Sequence, residues 1–215
     1  MRNTLLTLAA AAGIAALSGG ALHAQGAPEL PGAVDASRVA AGTYKLDPGH
    51  TLVGWRVNHF GFNDYFGLFG NIDGTLTIDP TDLESAKLDV TIPIAEVTTA
   101  SEGLTAHLLR AGAEGAAPDF FGPDAEPARF VSTSVRRTGE RTANVTGDLT
   151  LNGVTRPVTI EAEFTGAGAH PMSQVQTIGF EGTATINRSE FNIGFALPVV
   201  SDAVELDLTA AFEKQ

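Results

Sequence analysis

From Gly42 onward the chain repeats one pattern, an apolar residue at every second position, in segment after segment. Val53, Trp55 and Val57 alternate with Gly54 and Arg56, and Leu88, Val90 and Ile92 with Asp89 and Thr91. Val158, Ile160, Ala162 and Phe164 alternate with Thr159, Glu161 and Glu163, and the rule continues through Ile178, Phe180, Ala184, Ile186 and then Val204, Leu206, Leu208, Phe212. Successive side chains of a strand point to opposite faces, so this period describes half-buried antiparallel strands with one apolar face each. Turn chemistry separates them at Asp47-Pro48-Gly49, Asp79-Pro80 and Thr138-Gly139. The strongest turn signal is Asn152-Gly153 between Leu151 and Val154, because a two-residue hairpin needs two residues that tolerate positive φ. About eight strands result, joined mostly in sequence. Closing such a sheet into a barrel removes the exposed edges that an open sheet must protect, whereas a two-sheet sandwich, the structural alternative, keeps them.

One segment breaks the alternation. Thr99 followed three residues later by Glu102 resembles a capping box, and Leu104, His107 and Leu108 sit at helical spacing, which predicts one short helix over residues 100–110. Residues 111–118 (AGAEGAAP) read as a small insertion after it.

The chain begins with Arg2, an apolar run through Leu17, and Leu22-His23-Ala24 before Gln25, the layout of a cleaved secretory signal over residues 1–24. The run is shorter than the roughly 20 residues a membrane-spanning helix needs, and no later stretch approaches that length, so stable membrane insertion is not expected. Residues 25–41 (QGAPELPGAVDASRVAA) lack periodicity and read as a flexible leader, leaving residues 42–215 as one domain. Cysteine is absent, which excludes disulfides, thiolate metal ligands, a cysteine nucleophile and a lipid on the first mature residue. A bacterial periplasm is the expected compartment. The signal contains one basic and no acidic residue, so the mature chain carries 12 basic against 25 acidic groups. That balance argues against nucleic acid and anionic membrane surfaces as partners.

Signatures of catalysis are missing: no serine nucleophile elbow, no HExxH, no phosphate-cradling glycine loop. His50, His59 and His107 are the histidines nearest to a metal set, but their spacing is not diagnostic, and neither a metal nor another cofactor is expected. The most unusual stretch is HFGFNDYFGLFG from His59 to Gly70, where Phe60, Phe62, Tyr65, Phe66 and Phe69 sit among glycines. Phe120 and Phe121 after the helix, and Phe191 and Phe195 beyond Arg188, repeat the theme. These aromatics either seal the barrel ends or line an apolar mouth, since an eight-stranded barrel has room for its own side chains or for one small ligand. Arg188 follows Ile186-Asn187 at a strand end, where a planar guanidinium can hold carbonyls or carboxylates.

In order along the chain, Tyr44-Lys45-Leu46-Asp47 with His50, Val57-Asn58-His59, Phe69-Gly70, Leu108 with Asp119-Phe120-Phe121, the run GDLTLNGVTRPV from Gly147 to Val158, and Ile186-Asn187-Arg188 with Phe191-Asn192-Ile193 resemble the YceI-like family over nearly the whole domain. The resemblance implies an eight-stranded antiparallel, lipocalin-like barrel with one short helix. It also implies an elongated pocket for a polyisoprenoid lipid such as a prenylated quinone, periplasmic residence and a possible homodimer. Two positions depart from the family pattern: Ala106 stands where an acidic residue usually precedes the His-Leu pair, and Asn192 where glycine is usual. The expected ligand-binding residues are Trp55, Val57, His59, Phe60, Phe62, Phe66, Phe69, Leu108, Phe120, Phe121, Phe180, Arg188 and Phe191. The expected function is a non-catalytic carrier of isoprenoid lipids. A barrel-scaffold enzyme using His59, His107 and Arg188, or a filled-core interaction protein, is the alternative.

Overall fold

The computed structural model describes residues 30–215, so the signal expected over residues 1–24 lies outside the described residues. Eleven strands form one continuous antiparallel sheet: β1 (Gly42–Leu46), β2 (Leu52–His59), β3 (Asn63–Phe69), β4 (Asp73–Ile78), β5 (Lys87–Ile92), β6 (Thr98–Thr99), β7 (Ala128–Arg137), β8 (Thr142–Leu151), β9 (Val154–Ala169), β10 (Gln176–Asn187) and β11 (Ala203–Lys214). They amount to a closed barrel of eight strands, because the first six are three long strands interrupted once each. β1 and β2 pair in succession with the same edge of β11, Leu46 opposite Phe212 and Leu52 opposite Thr209. β4 and β3 pair with β1 and β2, and β5 and β6 with β4 and β3. From β5 the sheet runs through β7, β8, β9 and β10 to β11, and β11 returns to β1 and β2.

The alternation read from the sequence sets the register. Val53, Trp55 and Val57 face inward opposite Phe69, Gly67 and Tyr65, and Ile178 and Phe212 pair with each other deep in the core. Asn152 and Gly153 take φ of 49° and 74°, both left-handed, as the tight β8–β9 hairpin requires. The helix α1 spans Glu102–Leu108, inside the expected limits, but its cap is Ser101 and not Thr99. The Ser101 hydroxyl accepts from the Leu104 amide, while the Thr99 hydroxyl donates to the Ser101 carbonyl one step earlier. No helix among the described residues is long and apolar enough to cross a membrane.

The described part of the stretch expected as a leader lies against the barrel. Ala33 exchanges backbone hydrogen bonds with Ala167, Gln176 donates to the Arg38 carbonyl, Val39 is buried, and the hydroxyl of the fully buried Tyr44 donates to the Ala40 carbonyl at 2.7 Å. Docking a segment in this way satisfies backbone groups that would otherwise be shielded from water without a partner.

Candidate functional site

The two halves of the barrel differ. In one half Phe164, Phe180 and Phe212 meet edge to face at 5.9 and 6.1 Å between ring centres, over the buried Ile178 and Tyr44. In the other half a cavity of about 490 Å³ opens between the ends of β2, β8, β10 and β11 and the helix α1. Its volume lies within the roughly 300–1,000 Å³ of small-molecule sites. The wall is almost wholly apolar, with Val53, Ile92, Leu104, Leu149, Leu151 and Leu206 among its residues.

α1 forms one side because β6 is too short to continue the sheet. β7 pairs with β5 only over residues 128–131, so the helix and the residues after it cover what the third long strand leaves open. The Leu108 carbonyl accepts from the amides of Phe121 and Gly122, fastening that stretch to the helix end. His107 Nε2 stands 2.8 Å from Asp119 Oδ2, and Arg110 donates to the same oxygen at 2.7 Å. The His107 ring also packs edge to face on Phe120 and Phe195, which touch each other.

Hydrogen bonds from Arg110 and His107 hold the Asp119 carboxyl below the ordinary aspartate range. A carboxyl depressed in the folded state adds stability above its unfolded value, near 3.9, and loses it as pH falls through the folded value. Acidification below about pH 4 is therefore expected to release the clamp on α1, read as faster amide exchange in residues 102–108, and Asp119→Asn is expected to show that exchange already at neutral pH.

Arg188 closes another side of the mouth. Its side chain is buried, and it gives four hydrogen bonds to backbone carbonyls: Nε to Ser201, Nη1 to Ile193 and Phe195, and Nη2 to Val200, at 2.8 to 2.9 Å. One cation thus holds the whole connection from the 3-10 turn Arg188–Phe191 to β11 over the cavity. Burial lowers its pKa and the nearby Asp202 opposes that, but a guanidinium stays charged throughout. Asp202 accepts from the Ser189 amide and hydroxyl and fixes the start of the same turn. The turn ends at Asn192 with φ 61° and ψ 22°, the left-handed region, which explains why asparagine can stand where the family usually has glycine. Asn192→Gly is expected to leave the midpoint of denaturant unfolding nearly unchanged. Asn192→Ile is expected to cost about 1–2 kcal/mol, the penalty of a β-branched residue in that conformation.

Nine of the expected ligand-binding residues line this cavity: Trp55, Val57, His59, Phe60, Phe69, Leu108, Phe120, Phe121 and Arg188. Four do not. Phe62 is 89% exposed at the β2–β3 turn, and Phe66 points outward, because Tyr65 and Gly67 on either side of it face in. Phe180 faces inward but in the opposite half of the barrel, and Phe191 is fully buried beneath the turn at Arg188, its carbonyl accepting from Asn152 Nδ2. Tyr65, Leu104, His107, Phe195 and Val200 line the cavity as well, outside the expected ligand-binding set. The alternation in β3 would have found Tyr65, whereas Phe195 and Val200 lie in an irregular connection with no period to read. Among the described residues no three histidine or acidic side chains group as a metal site.

The model of the YceI-like domain matches residues 44–212. A UPF0312 protein of Pseudomonas putida strain W619 is 36% identical over 185 residues, covering 85% of this chain and 92% of its own. Another of Ectopseudomonas mendocina strain ymp is 37% identical over 183 residues, covering 84% and 92%. Among solved structures, BcnA of Burkholderia cenocepacia superposes with a TM-score of 0.66 at 24% identity, over 77% of this chain and 98% of that one. The YceI protein of Campylobacter jejuni gives 0.62 at 25%, over 74% and 90%. A polyisoprenoid-binding domain of Saccharophagus degradans gives 0.57 at 13%, over 82% and 100%, and shares the fold. With a closed eight-stranded barrel, its sequence motifs in place, and a family match spanning the barrel from β1 to β11, the chain belongs to the YceI-like family.

Proposed function

We propose that this protein is a periplasmic carrier or store for an isoprenoid lipid such as a prenylated quinone, held in the apolar cavity at the helix end of the barrel. The observation that carries the reading is the cavity: about 490 Å³ of apolar-walled space inside a closed barrel, opening past Phe60 and Phe195, which are 49% and 42% exposed. Water gains few hydrogen bonds in such a space and a hydrocarbon chain gains contact on all sides. The polyisoprenoid-binding domain of Saccharophagus degradans, which shares the fold, supports the ligand class.

The alternative, an enzyme, draws on the His107–Asp119 pair in the wall. Arg110 shares that carboxylate and Phe120 and Phe195 pack on the imidazole, so the arrangement fits a clamp between α1 and the residues after it. Arg188, the electrostatic group such an enzyme would use, is engaged with four backbone carbonyls.

Mass spectrometry of an organic extract of the purified protein tests the reading. The expected result is one isoprenoid lipid in near-stoichiometric amount. An extract free of lipid, from protein that also fails to take up added prenylated quinone, would refute it.

A further inference from the structure

Two segments beside the mouth of the cavity contain no acidic residue, lysine or arginine, in a chain with 25 acidic and 13 basic residues. One is residues 59–63 (HFGFN), the β2–β3 turn with its strand ends, and the other is residues 193–200 (IGFALPVV), in the connection to β11. Backbone hydrogen bonds join them into one lip. The Phe60 amide donates to the Val199 carbonyl at 2.7 Å, His59 and Val200 form an antiparallel bridge, and the Ser201 amide donates to the Asn58 carbonyl at 3.0 Å. Arg188 holds the second segment through the carbonyls of Ile193, Phe195 and Val200.

His59, Phe60, Phe195 and Val200 line the cavity, whereas Phe62, Leu197 and Val199 do not and are nevertheless exposed, Phe62 at 89%. Phe60 stands at φ 58°, in the left-handed region where glycine or asparagine is at ease and a bulky residue is strained. The lip thus presents apolar surface that folding alone does not favour. Other exposed apolar side chains are placed differently. Val34 and Met172 lie by the β9–β10 turn, at the opposite end of β10 from the mouth, and Phe66 lies on the outer wall with the Arg56 guanidinium 6.0 Å from its ring centre. The carboxylates that flank the lip are engaged, Asp64 with Asn58 and Arg56, and Asp202 with Ser189.

What covers such a lip follows from what must pass over it. A hydrocarbon chain crossing water on its way to the cavity would lose about fourfold in partition for each methylene exposed. A mouth pressed against a bilayer avoids that crossing, and a rim without charges has little to desolvate there. Aromatic residues are at home in the interfacial layer. The lip has no lysine or arginine for anionic head groups, and the acidic remainder of the molecule is repelled by them.

We infer that the lip docks the mouth of the barrel reversibly on an uncharged, zwitterionic lipid surface. Phe62, Leu197 and Val199 enter the interfacial layer, no segment crosses the bilayer, and an isoprenoid chain passes between bilayer and cavity without meeting bulk water. This rests on the isoprenoid reading of the cavity and adds to it the place where the ligand is loaded.

Sedimentation with sucrose-loaded vesicles of phosphatidylcholine, which hold no isoprenoid, reads docking separately from carriage. The unmodified protein is expected to sediment with them, and several-fold less when about a third of the lipid is phosphatidylglycerol. The double variant Phe62→Ser, Val199→Ser is expected to bind at least about tenfold more weakly, and Met172→Ser, at the opposite end, to stay within about twofold of the parent. On the unmodified protein, vesicles should slow amide exchange in residues 59–63 and 193–200 and leave residues 170–175 unchanged, a reading that does not depend on how a variant folds. Failure to bind phosphatidylcholine, equal binding by the double variant, tighter binding to the phosphatidylglycerol mixture, or exchange slowed only outside the lip would each overturn the docking. So would an unmodified protein that is a dimer in solution and becomes a monomer in the double variant, since the lip would then cover a second copy. Uptake of a short-chain prenylated quinone from detergent solution is measured alongside. Uptake without vesicle binding refutes the docking and leaves the carrier reading in place, whereas vesicle binding without uptake sinks the carrier reading and the loading role together.

Discussion

Replacing Arg188 with methionine is expected to lower the unfolding free energy by about 3–5 kcal/mol, the range for breaking a buried charged network from one side. Methionine keeps the apolar stem of the side chain and none of its donors. The carbonyls of Ile193, Phe195, Val200 and Ser201 would lose their partner together, and any of them that stays buried carries a desolvation cost of about 1–3 kcal/mol. Arg188→Lys keeps the charge, but an ammonium has three donors at one point in place of a planar fork, so it cannot reach four carbonyls spread from residue 193 to residue 201. The lysine variant is expected to recover less than half of the loss. For a chain of this length the methionine variant should melt roughly 6–20 °C lower, at about 2–4 °C per kcal/mol. Equilibrium unfolding in urea of the three proteins checks this, and a methionine variant within 1 kcal/mol of the parent would show that the carbonyls find other partners.

The position of Arg188 in the sequence suggested a guanidinium that holds carbonyls or carboxylates, and the structure supplies carbonyls alone. No pattern in the sequence distinguishes the two, because the acceptors are main-chain atoms of an irregular segment. The barrel itself was legible for the opposite reason. Inward residues of β9, β10 and β11 recur with period two, broken once by a bulge in β9 between Phe164 and Gly166, opposite Phe180 and Gly179. The aromatic stretch from His59 to Gly70 was harder to read, since three aromatic residues fall on both faces of one strand and two more in its turn. Only the pairing of Val57 with Tyr65, Trp55 with Gly67 and Val53 with Phe69 shows that Phe66 faces out. Gly67 itself carried a signal that was available, a strand glycine opposite the single tryptophan, which marks a close approach. The depth of the cavity was not legible at all. In the far half of the barrel Phe164, Phe180 and Phe212 meet, a contact among three strands that local alternation does not specify.

That aromatic cluster sets the second large effect. At roughly 30 Å³ for each water-sized group, a cavity of about 490 Å³ admits about 16 such groups, equivalent to about three five-carbon isoprene units. Burying that many carbons at about 0.8 kcal/mol each gives roughly 12 kcal/mol before the costs of ordering and desolvation are subtracted. Units beyond the third have no further cavity wall to cover. Stripped protein titrated with prenylated quinones of rising chain length is therefore expected to gain stability steeply up to about three units and then level off. The gain should reach about 4 kcal/mol when the quinone stands at a thousandfold over its dissociation constant. Phe180→Ala removes the central ring of the cluster, which touches both Phe164 and Phe212, and is expected to cost about 3–5 kcal/mol in the lipid-free protein. The same change opens the far half of the barrel to the ligand, so the plateau should move to longer chains, and a long-chain quinone should restore more stability to the variant than to the parent. Melting curves across the chain-length series for both proteins decide the matter. If the plateau falls at the same length with and without the Phe180 ring, the aromatic cluster does not set the length of chain the barrel holds.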